Sequence, residues 1–203
     1  MEAVEEWKHL GLSLPAEALL LARGDTPGES GAAEAQAIVD AFTECGARWA
    51  EQSTDDTEAE ALFAARRLAY PALERLGPVL TEDVCVPRSE VPSMLAAIEE
   101  IGARFGVKIA SIAHAGDGNL HPLIIGAGGD GQAPPAALAA FEEILDSAIA
   151  RRGTVTGEHG VGILKSGGMQ REVDPAAQSL MHDVKAALDP RNLFNPGKVL
   201  AAR

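Results

Sequence analysis

With 203 residues, 46% of them hydrophobic and 23% charged, the chain matches one ordinary domain, buries a core without staples, and is excluded from disorder over most of its length. A formal net charge of −13 sets up a field that repels phosphate backbones and anionic lipid, which excludes nucleic acid as a partner. Cys45 and Cys85 are too few for a disulfide framework, no charged-then-apolar leader opens the chain, and no apolar run approaches the ~20 residues of a membrane span. A cytoplasmic protein without a transmembrane segment is expected.

In chain order, Leu14 to Ala22 (LPAEALLLA) ends in a continuous apolar run and breaks at Gly24-Asp25-Thr26-Pro27-Gly28, the pattern of a buried strand and a loop. Ala33, Ala37, Ile38, Ala41 and Phe42 recur at helical spacing, so a helix is predicted from Glu29 to Glu44, closed by Gly46. Arg48 to Gln52 is a second strand candidate. Thr54-Asp55-Asp56-Thr57 supplies caps for a helix from Glu58 to about Leu73, whose far end Pro71 limits.

Val79 to Val86 (VLTEDVCV) alternates around β-branched residues and is read as a strand ended by Pro87. Ser89 is placed to cap a helix whose Met94, Leu95, Ile98, Ile101 and Phe105 form one apolar face, with Gly106 closing it. Val107 to Ala113 and Leu120 to Ile125 flank an Asp-Gly turn signal and are predicted to pair as a hairpin. A Gly/Pro-rich loop from Gly126 to Pro135 leads into an Ala-rich helix ending near Arg151, and a last helix covers Pro175 to Leu188. Helices alternate with strands of which one pair is a tight hairpin, so the fold class is α+β with a mixed or antiparallel sheet.

Two segments carry chemistry. In HAGDGNLHP, residues 114 to 122, a two-residue turn at Asp117-Gly118 would set His114 opposite His121, where Cβ atoms ~4.5–5.5 Å apart bring both imidazoles to one metal. The alternative is a pair of polar residues near a hairpin end, hydrogen-bonded or solvated. RRGTVTGEHGVGILK, residues 151 to 165, sets Glu158 and His159 among Gly153, Gly157, Gly160 and Gly162. Glycine at that density admits close approach by another group at an entropic cost. Two histidines and a carboxylate are a frequent catalytic zinc set, which makes Glu158 the natural third ligand and His159 the free base beside it. The bland alternative is a surface salt-bridging pair.

HAGDGNLHP, TGEHGVGILK, LTEDVCVPRSEVPSML (residues 80 to 95) and the tail LDPRNLFNPGKVL (residues 188 to 200) occur in an order that resembles the C-terminal domain of FAD-linked oxidases of the vanillyl-alcohol oxidase type. The groups it resembles are D-lactate dehydrogenases, the glycolate oxidase flavin subunit and D-2-hydroxyglutarate dehydrogenases. The resemblance covers nearly the whole chain and implies a ferredoxin-like sheet covered by helices, with a C-terminal helix and tail. It implies that His114, His121 and Glu158 bind zinc or manganese and that His159 is the base at the substrate hydroxyl. It assigns the substrate carboxylate to Arg66 of FAARR (residues 63 to 67), with Arg67 as the fallback, and returns Asn195 and Lys198 toward the flavin. Ala113 stands where a glycine is common, and LLLARGD (residues 19 to 25) has no acidic residue within the expected strand, which ends at Ala22, where the family usually carries one.

The implied substrate is a small D-2-hydroxy acid. The implied FAD is held mainly by an FAD-binding domain or subunit outside these residues, so tight flavin binding by this chain alone is not expected. A flavin-facing surface left open would allow a homodimer. Two other readings of the same residues stay open: a non-catalytic assembly module, and a free-standing metal hydrolase that activates water at the His-His-Glu set.

Overall fold

A computed structural model describes residues 2–9, 18–126 and 133–200. The chain divides into two compact units, Met1–Arg75 and Leu76–Arg203.

The regular elements among the described residues of the first unit are all helices: α1 (Glu2–Lys8), α2 (Gly28–Glu44), α3 (Asp56–Arg67) and α4 (Ala69–Glu74). α2 follows the predicted periodicity and is closed by Gly46 at φ +83°. Asp55 caps α3 by accepting the Glu58 N–H at 2.9 Å, and the Glu58 carboxylate accepts the Thr54 N–H at 2.7 Å in return. The helix expected to run unbroken to Leu73 divides at Leu68. Pro71 has no N–H and its ring collides with the carbonyl four residues back, that of Arg67, where α3 stops. α1, which the periodicity did not single out, packs its Val4 against α4, where Ala72 and Leu73 are buried.

Neither strand expected in this unit is present among the described residues. Residues 14–17 of the first lie outside them, and residues 18–22 and 48–52 have irregular backbone. A strand requires a ladder partner for its N–H and C=O groups, and no described segment of this unit supplies one.

The second unit contains β1 (Val79–Thr81), β2 (Val84–Cys85), α5 (Val91–Phe105), β3 (Lys108–His114), β4 (Asn119–Ile125), α6 (Pro135–Ala150), α7 (Ser166–Glu172) and α8 (Pro175–Leu188). β4 is central and antiparallel to all its neighbours, with β3 along one edge and β1 and β2 in tandem along the other. Val79 faces Ile125 and Cys85 faces Asn119 in one unbroken register, so the expected strand from Val79 is present with a gap at Glu82-Asp83. That register sets Glu82 opposite Pro122, which has no N–H for the ladder.

Cys85 and Thr154 exchange N–H···O bonds of 3.0 and 2.8 Å on the outer edge of β2. Chain order in the sheet is thus strand, α5, β3, β4, α6 and a one-residue fourth strand, the ferredoxin-like βαββαβ path. The sheet is antiparallel, which resolves the mixed-or-antiparallel expectation. α5 and α6 cover one face: Met94, Ile98, Ile101, Phe141, Ile144 and Leu145 pack on Val84, Leu120 and Ile124. α5 carries the predicted apolar face and ends at Gly106 with φ +65°. Ser89 is not its cap; it lies in a single 3-10 turn, Arg88–Glu90, ahead of the helix.

The hairpin register differs from the two-residue turn expected. The turn spans four residues, 115–118, so His114 pairs with Asn119 and His121 pairs with Ile112. The His114 carbonyl accepts the Asp117 N–H at 3.0 Å, and Gly118, at φ +77°, then gives its carbonyl to the Val86 N–H at 2.9 Å. A Cβ on Gly118 would stand 2.0 Å from the Val86 carbonyl oxygen, so this contact with the neighbouring strand demands glycine and sets the register. α7 was not anticipated, and residues 127–132 of the expected Gly/Pro loop lie outside the described ones. No helix among the described residues is long and apolar enough to cross a membrane.

Phe141 is 2% exposed at the centre of the α5–α6–sheet contact. Phe141→Ala is expected to cost about 3–5 kcal/mol, read as a lower midpoint in urea denaturation; an unchanged midpoint would contradict this packing.

Candidate metal and substrate site

Strand alternation puts Leu120 and Ile124 of β4 in the core under the helices and His121 on the opposite face of the sheet. His114, two residues beyond the position paired with His121, lies diagonally across on that same face. Diagonal neighbours remain within reach of long side chains, and the two imidazoles meet edge to face with ring centroids 5.3 Å apart. The expected convergence is therefore reached by a diagonal contact.

The segment between α6 and α7 folds over this face. Glu158 Oε1 lies 3.1 Å from His121 Nε2 and 3.7 Å from His114 Nε2. All three ligand atoms fall within 4.8 Å of one another. Ligands that bind one zinc at ~2.0–2.2 Å stand at most ~4.4 Å apart, so this donor set fits a single divalent cation with small adjustments. Burial pushes the His121 imidazole below its ordinary pKa; His159 adds to the shift, and the Glu158 carboxylate opposes it. The outcome favours the neutral ring that a metal ligand must be.

His159 stands beside the three, its ring centroid 5.0 Å from that of His121 and its Nε2 4.0 Å from Glu158 Oε1. Its Nδ1 faces Asp83 Oδ1 at 3.7 Å.

Asp83 and Lys165, both 0% exposed, hold the segment and were missed by the sequence reading. The Asp83 carboxylate accepts N–H bonds from Gly157, Glu158 and His159 at 2.6, 2.5 and 3.2 Å, and a hydroxyl bond from Thr156 at 3.2 Å. The Lys165 ammonium binds the same carboxylate, the Asp83 carbonyl at 2.7 Å and Glu82 at 3.1 Å. Burial pushes the Asp83 pKa up, but Lys165 and the amides of Glu158 and His159 outweigh it and hold the group well below the usual carboxylate range. The available signal was the acidic pair in the strand pattern VLTEDVCV, since a carboxylate at a buried strand position requires partners.

Gly157 also explains part of the glycine density: a Cβ there would stand 2.4 Å from the Asn119 side-chain oxygen. That oxygen is buried with no hydrogen-bond partner among the described residues.

A cleft of about 420 Å³ opens next to His159, lined also by Glu82, Val161, Ile163, Leu164 and Lys198. The Val199 N–H donates to the Gly162 carbonyl at 2.7 Å and ties the tail to the glycine-rich segment. Lys198 is thereby brought together with His159. Asn195 does not line the cleft; its left-handed backbone, φ +47°, and its carbonyl, which accepts the Lys198 N–H at 3.2 Å, shape the turn that presents Lys198. Arg66 lies in the last turn of α3 in the first unit and is exposed. Its neighbour Arg67 pairs with Glu60 at 3.7 Å.

The sequence model described as "FAD linked oxidases, C-terminal domain" matches residues 1–199. Glycolate oxidase subunit GlcD of Bacillus subtilis (strain 168) is 38% identical over 98% of this chain and 42% of its own length. The subunit of the same name from Escherichia coli (strain K12) is 32% identical over 98% of this chain and 40% of its own. A probable mitochondrial D-lactate dehydrogenase of Danio rerio is 37% identical over 75% of this chain and 31% of its own. The chain thus spans about two fifths of the length of the first two relatives.

Because its native pKa is depressed, Asp83 contributes stability that is complete above the unfolded value of about 3.9 and is lost as pH falls toward the native value. In metal-free buffer the wild type is therefore expected to lose stability as pH falls from about 4 to about 2 more steeply than an Asp83→Asn, Lys165→Met double variant. Parallel pH profiles of urea denaturation would contradict this.

Proposed function

The chain belongs to the family of FAD-linked oxidase C-terminal domains, and from that premise we propose that it is the substrate- and metal-binding part of a flavin-dependent dehydrogenase. The reaction proposed is oxidation of a small D-2-hydroxy acid to the 2-oxo acid. The observation that carries the reading is the approach of His114, His121 and Glu158 to one point, with His159 beside them. The names of the relatives agree in substrate class, since glycolate and D-lactate are both 2-hydroxy acids.

His114, His121 and Glu158 would hold zinc or manganese. The bound ion would act as a Lewis acid toward the substrate hydroxyl and one carboxylate oxygen, and FAD would accept the hydride from C2. His159 takes the hydroxyl proton. The Asp83 carboxylate facing its Nδ1 favours the tautomer protonated there, which leaves the Nε2 lone pair on the side of Glu158 as the acceptor. Arg66 is assigned the substrate carboxylate, which a guanidinium recognises with two parallel hydrogen bonds. Lys198, on the cleft wall with Ile163 and Leu164, is assigned to the flavin side, with Asn195 supporting its turn. Most of the FAD contacts are assigned to a partner domain or subunit. Two free thiols, Cys45 and Cys85, agree with a reducing cytoplasm.

Calorimetric titration of the chain with Zn²⁺ or Mn²⁺ is expected to give one site. Glu158→Gln or His121→Ala is expected to weaken it by more than the roughly 10–100-fold typical of losing a group that only supports a ligand. Equal affinity in all three proteins would remove the site. In an assembly with its FAD-binding part, His159→Gln is expected to lower kcat with a 2-hydroxy acid by about 10²–10⁴ at unchanged metal content. Unimpaired turnover would remove His159 as the base.

A further inference from the structure

We infer that Asp83 is a positioning residue that presets the Glu158–His159 segment before any ion or substrate arrives, with Lys165 as its charge partner. The inference rests on the reading of Glu158 as a ligand and His159 as the base, and it adds to that reading what makes their geometry fixed.

Three consecutive amides, those of Gly157, Glu158 and His159, converge on one oxygen of Asp83 at 2.6, 2.5 and 3.2 Å. Successive backbone N–H groups around one anion form a nest. The other oxygen accepts the Thr156 hydroxyl at 3.2 Å, and that hydroxyl oxygen accepts the Gly160 N–H at 2.9 Å. One carboxylate thus organises every residue from 156 to 160. Lys165 closes the far end of the segment onto the same group, and its ammonium finds three acceptors: Asp83 Oδ1, the Asp83 carbonyl and Glu82.

Placement in the sheet makes this clamp relevant to the histidines. The register of β1 and β2 on β4 sets Asp83 directly opposite His121. The group that holds Glu158's backbone is therefore the cross-strand neighbour of a residue that Glu158 contacts. Glu158's own side chain is 52% exposed, so the backbone determines where it starts from.

A buried ion pair by itself argues little, because such pairs are often replaceable by apolar residues without loss of stability. The inference concerns Asp83 as an acceptor of amides, and the two roles separate experimentally. An Asp83→Asn, Lys165→Met chain has no buried charge pair, yet the asparagine oxygen can still accept the three amides. An Asp83→Ala, Lys165→Met chain is equally charge-balanced and has no acceptor.

Calorimetric titration with Zn²⁺ is expected to find the asparagine variant within about threefold of wild type. The alanine variant is expected to be about 10–100-fold weaker, the range for losing a group hydrogen-bonded behind a ligand. In the metal-free wild type the amides of Gly157, Glu158 and His159 are expected to be protected from hydrogen exchange; that protection should persist with asparagine and vanish with alanine. A folded alanine variant with wild-type affinity would overturn the inference, and so would unprotected amides in the metal-free wild type, a measurement that needs no variant to fold. If the wild type binds no Zn²⁺ at all, the metal reading fails, and the exchange pattern still decides for or against the clamp.

Discussion

A carboxylate with no exposed surface, that of Asp83, is the constraint on which the functional face depends. Burying such a group is costly unless its charge is balanced and its lone pairs are used. Here both conditions are met by one segment of chain: the amides of residues 157 to 159 and the Thr156 hydroxyl use the lone pairs, and Lys165 supplies the charge. Satisfying Asp83 therefore requires the segment to fold back over β4, and that return carries Glu158 and His159 to the two histidines. The electrostatic demand of the fold and the geometry of the site are one arrangement.

The sheet divides the labour between its faces. Toward α5 and α6, alternate residues of β4 build an apolar core of ordinary character. Toward the other side, the same strand offers His121, diagonal to His114 and opposite Asp83. Central strands are rigid because both edges are paired, and a site mounted on one inherits that rigidity. The groups expected to tolerate motion lie outward: Lys198 and the cleft residues Ile163 and Leu164, which the tail reaches through the Val199–Gly162 bond.

Much of the second unit was legible from periodicity alone. α5 and α6 follow apolar spacing and glycine or proline punctuation, and α8 matches its predicted limits. The hairpin was legible as a hairpin but not in its register, because Asp117-Gly118 signals a two-residue turn while the contact between Gly118 and Val86, distant in sequence, lengthens it to four. His114 and His121 still meet because the shift of two keeps both on one face, whereas a shift of one would have separated them. Asp83 and Lys165 escaped notice because a charged residue in a strand or loop pattern reads as exposed until its partners are known. In the first unit the apolar run near Leu19 to Leu21 suggested a strand for which the described residues supply no ladder partner. Arg66 belongs to that unit, so its assigned role stands on the family pattern alone.

The most direct test of the convergence is X-ray absorption at the zinc edge of the zinc-loaded chain. The account predicts a shell of two imidazole nitrogens and one carboxylate oxygen at about 2.0–2.2 Å, completed by solvent. A zinc shell without imidazole scattering would contradict it.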